Sequence, residues 1–197
     1  IAHPRIAPLY EARQINGWMY YTREMPHGRS LEDMIDTKAK FGEKTLADVI
    51  AGVAEAMGQA ETQGYHYRMP TPRDIFVDEE HQASIVNVFR PRTGKTRDYA
   101  ADTGRFLMML RPLCDGPRAR HLVEELVQQK LDWEKLRRRA EDLQEQHRQD
   151  SLLKRADTRE AHEIAAARSA GNGVSLWAWV GLAVAVIGSI VVVVVRE

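Results

Sequence analysis

"HYRMPTPRDIFVD", residues 66–78, decides how the chain is read. Its end, "DIFV" at 74–77, is a short apolar run of strand type, and two prolines, Pro70 and Pro72, break the approach to it. The segment is therefore a loop that feeds a strand. Its middle holds Met69, Pro70 and Thr71, none of which is an acid or a base near neutral pH. The shape could carry chemistry, but the groups for it are missing.

Working upstream, Leu46, Val49, Ile50, Val53, Met57 and Ala60 recur at helical spacing, with Thr45 as the expected cap, Asp48 three residues on, and Gly64 as the expected stop. Before that helix, "PHGRSLEDMI" gives a turn with Ser30 as N-cap of a short helix. Earlier still, residues 6–12 and 18–24 are apolar and aromatic and are separated by Asn16-Gly17, a strong hairpin signal. Downstream, a polar turn at 78–82 leads to a second short strand, "ASIVNVF" at 83–89. "RPRTGKTRD" follows as a basic loop. The pattern then turns helical from about Asp98 through Cys114, over Arg118–Lys130, and over Asp132–Gln149 with Asp132 as cap. Residues 150–173 lose apolar content and end in "SAGNG", which reads as a linker.

Taken in order, these pieces resemble the second half of a eukaryotic-type protein kinase domain, of the kind found in bacterial serine/threonine kinases. "HPRIAPLYEA" resembles that family's His-Pro-x-Ile lead into a strand. "GWMYYTREMPHGRSLEDMI" is similar to its hinge strand and following helix, "VAEAMGQAETQGYHYR" to the long helix before the catalytic loop, and "RDIFVD" to the strand after it. The resemblance covers residues 1–89 well and continues loosely beyond residue 98.

The resemblance places the family's His-Arg-Asp on Tyr67, Arg68 and Met69, its following Lys on Thr71, its metal-binding Asn on Asp74, and its Asp-Phe-Gly on Asn87, Val88 and Phe89. Met69 can neither accept nor orient a hydroxyl proton, and loss of a general base costs on the order of 10²–10⁴ in rate. Thr71 brings no charge to a transferred phosphate. Phe89 replaces a glycine suited to φ > 0. Nothing matches the family's Ala-Pro-Glu, and only Arg90–Arg97 separates the Asn87–Val88–Phe89 match from Asp98, so the activation segment reads as deleted. Asp74 and Asn87 carry the family's two metal-ligand types in exchanged order. One carboxylate and one amide oxygen could hold Mg²⁺ with ATP, and these are the cofactors the pattern could take. The simpler reading is drift, with Asp74 as a turn or cap residue. The phosphate loop, strand Lys and Glu partner of a complete kinase would lie before Ile1, and a start at Ile rather than Met reads as a fragment.

The remaining composition excludes several classes. Lys plus Arg (28) equals Asp plus Glu (28), so no global field draws nucleic acid. Seven His lie without zinc spacing, and the single Cys114 reads as a small core residue. "TGKT" at 93–96 lacks the Gly of a phosphate-binding loop at position 89. Arg90, Arg92, Lys95 and Arg97 could dock an acidic partner but read first as a solvated loop. In "RDYAADTGRFLMML", Asp98 or Asp102 stands where the family buries an anchoring Asp, and Phe106, Leu107, Met109 and Leu110 read as core. Leu122, Leu126, Trp133, Leu136, Ala140 and Leu143 fall near heptad spacing. They read as inward-packing helices rather than a coiled coil.

"VSLWAWVGLAVAVIGSIVVVVV", residues 174–195, has no charge and suggests a transmembrane helix, with Trp177 and Trp179 near one interface. Lys154, Arg155, Arg159 and Arg168 before it against Arg196 after it predict a cytoplasmic N-terminal part. Gly181, Ala185 and Ser189, at four-residue intervals, would suit a homodimer through that helix.

The sequence thus predicts a mainly α chain with a few short β-strands: a protein-kinase-like C-lobe with an incomplete N-lobe, plus a single transmembrane helix. Residues 1–149 would be the kinase-like part, 150–173 a cytoplasmic juxtamembrane linker and 174–195 the span. The predicted function is that of a membrane-anchored pseudokinase, a scaffold or regulator with protein partners in a signalling assembly. The alternatives are a divergent active receptor-type serine/threonine kinase and a membrane-tethered helical adaptor.

Overall fold

Pro8 divides the first apolar stretch between two sheets. In the computed structural model, which describes residues 3–63, 69–86 and 99–169, Ile6 bridges Ile85 in parallel. The Ala7 amide donates to the Ile85 carbonyl (2.9 Å) and the Ile85 amide to the Arg5 carbonyl (2.7 Å). Past Pro8 the chain forms β1 (Leu9–Ile15) and β2 (Trp18–Arg23), paired antiparallel with Ile15 opposite Trp18. Asn16 (φ 51°) and Gly17 (φ 83°) both sit in the left-handed region, as a two-residue hairpin turn of right-handed strands demands. The hairpin agrees with the sequence, but every strand residue except Arg23 is exposed, Trp18 to 72%.

The second sheet has the order β3 (Arg29–Ser30), β4 (Ile75–Val77), β5 (Ala83–Ile85), all antiparallel. Gly28 enters it at φ 92°, so close to β4 that a Cβ would stand 2.2 Å from the Val77 carbonyl oxygen. Only glycine fits there.

Helix α1 (Leu31–Asp36) starts where the sequence says, with the Asp33 amide donating to Ser30 Oγ (3.1 Å). Helix α2 (Glu43–Thr62) starts earlier than predicted: Gly42, not Thr45, is its N-cap. A tertiary tether sets that start. The Phe41 amide donates to the Leu113 carbonyl (2.7 Å) and the Phe41 carbonyl accepts from the Asp115 amide (2.8 Å), which fixes the chain just ahead of Gly42. The helix gives Leu46, Val49, Ile50, Val53, Met57 and Ala60 to the core, all fully buried.

Helix α3 (Tyr99–Leu110) stops short of Cys114, because Pro112 falls in a single 3₁₀ turn, Arg111–Leu113. Cys114 is buried, its Sγ beside the Leu110 carbonyl (3.5 Å), and burial pushes its thiol pKa up. Helix α4 (Gly116–Gln128) and helix α5 (Trp133–Ser169) turn inward as expected. Leu122, Leu126, Trp133, Leu136 and Ala140 are buried and Leu143 packs against the same core. Asp132 caps α5 by accepting from the Lys135 amide (2.8 Å), the bond that chiefly holds its carboxyl below the usual value.

The chain divides into two units, Ile1–Gln149 and Asp150–Glu197. The helix predicted to end at Gln149 continues through Ser169. Apolar content did not reveal this extension, because its side chains from Asp150 to Glu163 are all exposed and form no apolar stripe. Ahead of it, charge pairs support the helix, Glu134 with Arg137 and Arg138, Arg137 with Glu141, Glu145 with Arg148.

The expected membrane span requires correction. Among the described residues no helix is long and apolar enough to cross a membrane. The longest, α5, has length to spare at 37 residues, but Arg, Lys, Asp and Glu recur along it. Over the described residues the fold is mainly helical with two small sheets and has no transmembrane helix, and a single-pass membrane placement with a cytoplasmic N-terminal domain is not supported. Residues 174–195, with Gly181, Ala185 and Ser189, lie outside the described residues.

Candidate functional site

The loop at residues 69–74 is built around a cap. Thr71 takes an extended conformation (φ −94°, ψ 168°) ahead of a 3₁₀ turn, Pro72–Asp74, with Pro72 at the position where a missing amide costs nothing. Asp74 Oδ2 accepts from the Thr71 amide (3.0 Å) and from Thr71 Oγ1 (2.7 Å), while the Asp74 amide donates to the Thr71 carbonyl (2.9 Å). The result is a reciprocal capping box. Asp74 is 8% exposed, and its carbonyl accepts from the Val86 amide (2.8 Å), which ties the loop to the end of β5.

Met69 lies half-buried with its side chain against the core cluster, and Pro70 beside it is buried. The thioether is core material in this arrangement. Arg73 points the other way and pairs with Glu32 of α1, Nε lying 2.6 Å from each carboxylate oxygen. That hydrogen bond, then the Glu32 charge, raises the Arg73 pKa further. The pair fastens α1 to the loop from outside.

Of the positions singled out in the sequence, Met69, Thr71 and Asp74 are therefore together in one turn. Tyr67, Arg68 and Asn87 lie outside the described residues, as do Phe89 and the basic stretch 90–97. Of the two anchoring candidates Asp98 is outside as well, whereas Asp102 is buried in α3 and paired with Arg105 (3.2 Å). No group of three or more His, Cys, Asp or Glu able to hold a metal ion occurs among the described residues.

A second feature was not foreseen. A cavity of about 440 Å³ opens between the segment 3–8, the stretch 24–27 after β2, and the β4–β5 turn. Its polar lining includes His3, Glu24, His27 and Asp78. These residues lie in three separate stretches of sequence and no local pattern joins them. The only hint was the pair of Pro-flanked histidines, His3-Pro4 and Pro26-His27.

No family model matches the chain. Over 87 residues it is 23% identical to maternal embryonic leucine zipper kinase of Danio rerio, a match covering 44% of this chain and 13% of that protein. A solved structure of Rad53 1–466 in complex with AMP-PNP aligns with 57% of this chain and 34% of that one, at 18% identity and a TM-score of 0.47. The chain thus spans only a small part of either protein. What the comparisons show is a weak likeness to protein kinases and nothing that points to a bacterial one.

Proposed function

We propose that this kinase-like chain works by binding other proteins and does not transfer phosphate efficiently. One observation supports this reading above the rest: Asp74 Oδ2, on the side chain aligned with a metal ligand, is already engaged by two donors from Thr71. To take a cation through Oδ2 the side chain must give up those bonds, and each donor left unsatisfied costs about 1–3 kcal/mol. Met69 adds to the argument, since a thioether packed on the core offers no base for a hydroxyl proton. The resulting role is that of a scaffold or regulator in a signalling assembly.

The test is transfer of labelled γ-phosphate from ATP in the presence of Mg²⁺, to the protein itself and to a generic basic protein substrate. The expected result is no incorporation above that of a heat-denatured control. Incorporation that disappears in Asp74→Ala would establish instead a divergent active kinase.

A further inference from the structure

The cavity beside β5 has the chemistry of a docking cleft. Its base is Ile6, 2% exposed and held in place by the backbone bonds that join residues 5–7 to Ile85. Pro4, Pro8 and Pro26 line it, and their fixed φ keeps the walls preformed, so little ordering entropy is lost on binding. The rim is held on both sides. The Glu24 amide donates to the Pro8 carbonyl (3.1 Å), and Asp78 Oδ1 accepts from the Gln82 amide (2.7 Å) across the β4–β5 turn.

Among the described residues that line the cleft, the carboxylates Glu24 and Asp78 stand beside His3 and His27, with no Lys or Arg. Among the described residues neither carboxylate takes part in a salt bridge, whereas Glu55 close by is occupied by Arg5 (2.7 Å) and approached by His3 (3.6 Å). Among the described side chains, the Tyr10 hydroxyl donates to Glu24, at 3.4 Å. A site with two carboxylates and no fixed cation repels anions, and the metal alternative lacks a third ligand among the described residues.

We propose that this cleft receives a basic, proline-containing segment of a partner protein. A Lys or Arg head satisfies Glu24 and Asp78, and its aliphatic stem, with a neighbouring proline ring, covers Pro8, Pro26 and Ile6. This inference does not depend on whether the chain transfers phosphate, because none of the loop residues 69–74 lines the cleft.

Fluorescence polarisation with the full chain tests it, using a labelled peptide Pro-Arg-Pro-Lys-Arg-Pro and, as control, the same peptide with Glu at each basic position. The expected result is saturable binding of the basic peptide alone, weakened as NaCl rises from about 0.05 to about 0.5 M. Glu24→Gln with Asp78→Asn should weaken it by about tenfold or more. Asn at position 78 keeps an acceptor for the turn, and the exposed Glu24→Gln serves alone if the double variant melts early. Absence of saturable binding up to about 1 mM peptide, or binding that Glu24→Gln and the double variant both leave unchanged, would overturn the proposal.

Discussion

Asp74 accepts two hydrogen bonds from Thr71 in a position shielded from water, so its contribution is measurable as stability. Asp74→Ala should cost about 1–2 kcal/mol, read as a shift in the urea midpoint at constant slope. Thr71→Val should cost a similar amount, and the double variant should lose less than the sum of the two single losses, since both break one shared pair. Gly28→Ala is expected to be more severe. Its φ of 92° and the 2.2 Å approach of the Val77 carbonyl leave no room for a methyl group, and about 3 kcal/mol or more should be lost in the same measurement. At this scale the sequence was legible where a residue acts through its immediate neighbours. Ser30 and Asn16-Gly17 do their work within four residues and were read correctly. Thr45 was misread because the helix start is set from Leu113 and Asp115, far along the chain.

At the scale of elements, α5 has the most distinctive physics. Between Glu134 and Arg148 charge pairs on its exposed surface support the helix, and these depend on pH. In its first turn, hydrogen bonds from Arg137 and then Arg138 hold Glu134 down to about 2, against an ordinary glutamate value of 4.5. A depressed carboxyl stabilises the folded state above its unfolded pKa and loses that contribution as pH falls through the folded one. Helical signal from α5 should therefore decline between about pH 4.5 and about pH 2, by a modest amount because the pair is solvent-screened. Circular dichroism of the full chain across that range, with Glu134→Gln as the comparison, checks it: the variant should have lost the difference already. The β1–β2 hairpin lies at the opposite extreme from α2. With two strands and almost no buried side chain it should exchange its amide hydrogens far faster than the core of α2, by hydrogen-exchange mass spectrometry. Hairpin, α2, α4 and the start of α5 were legible because turn chemistry and apolar spacing are local. The length of α5 was not, because from Asp150 to Glu163 every side chain is exposed and there is no apolar stripe to read.

For the whole molecule, the first unit is organised by a core to which α2 contributes most, with α3, α4, the start of α5 and the small sheet around it. Trp133 is fully buried there with Phe106 at 5.8 Å between ring centroids. The mainly helical class was readable from spacing alone, and so was the loop that lacks acid and base. The membrane span inferred from one apolar run was not supported: among the described residues no helix is long and apolar enough to cross a membrane, and the run itself lies outside them. The cleft was invisible in the sequence because residues 3–8, 24–27 and 78–84 meet only in the fold. The cap at Thr71–Asp74 carries the central proposal, that the loop at 69–74 serves as a structural turn and not for phosphoryl transfer. Thermal unfolding with ATP, with and without Mg²⁺, tests that claim most directly, on the chain with any natural sequence that precedes Ile1. Tight binding to the folded state would raise the midpoint in proportion to RT ln(1 + [L]/Kd). The account predicts no Mg²⁺-dependent rise at millimolar ATP. A Mg²⁺-dependent rise that Asp74→Asn diminishes would contradict it.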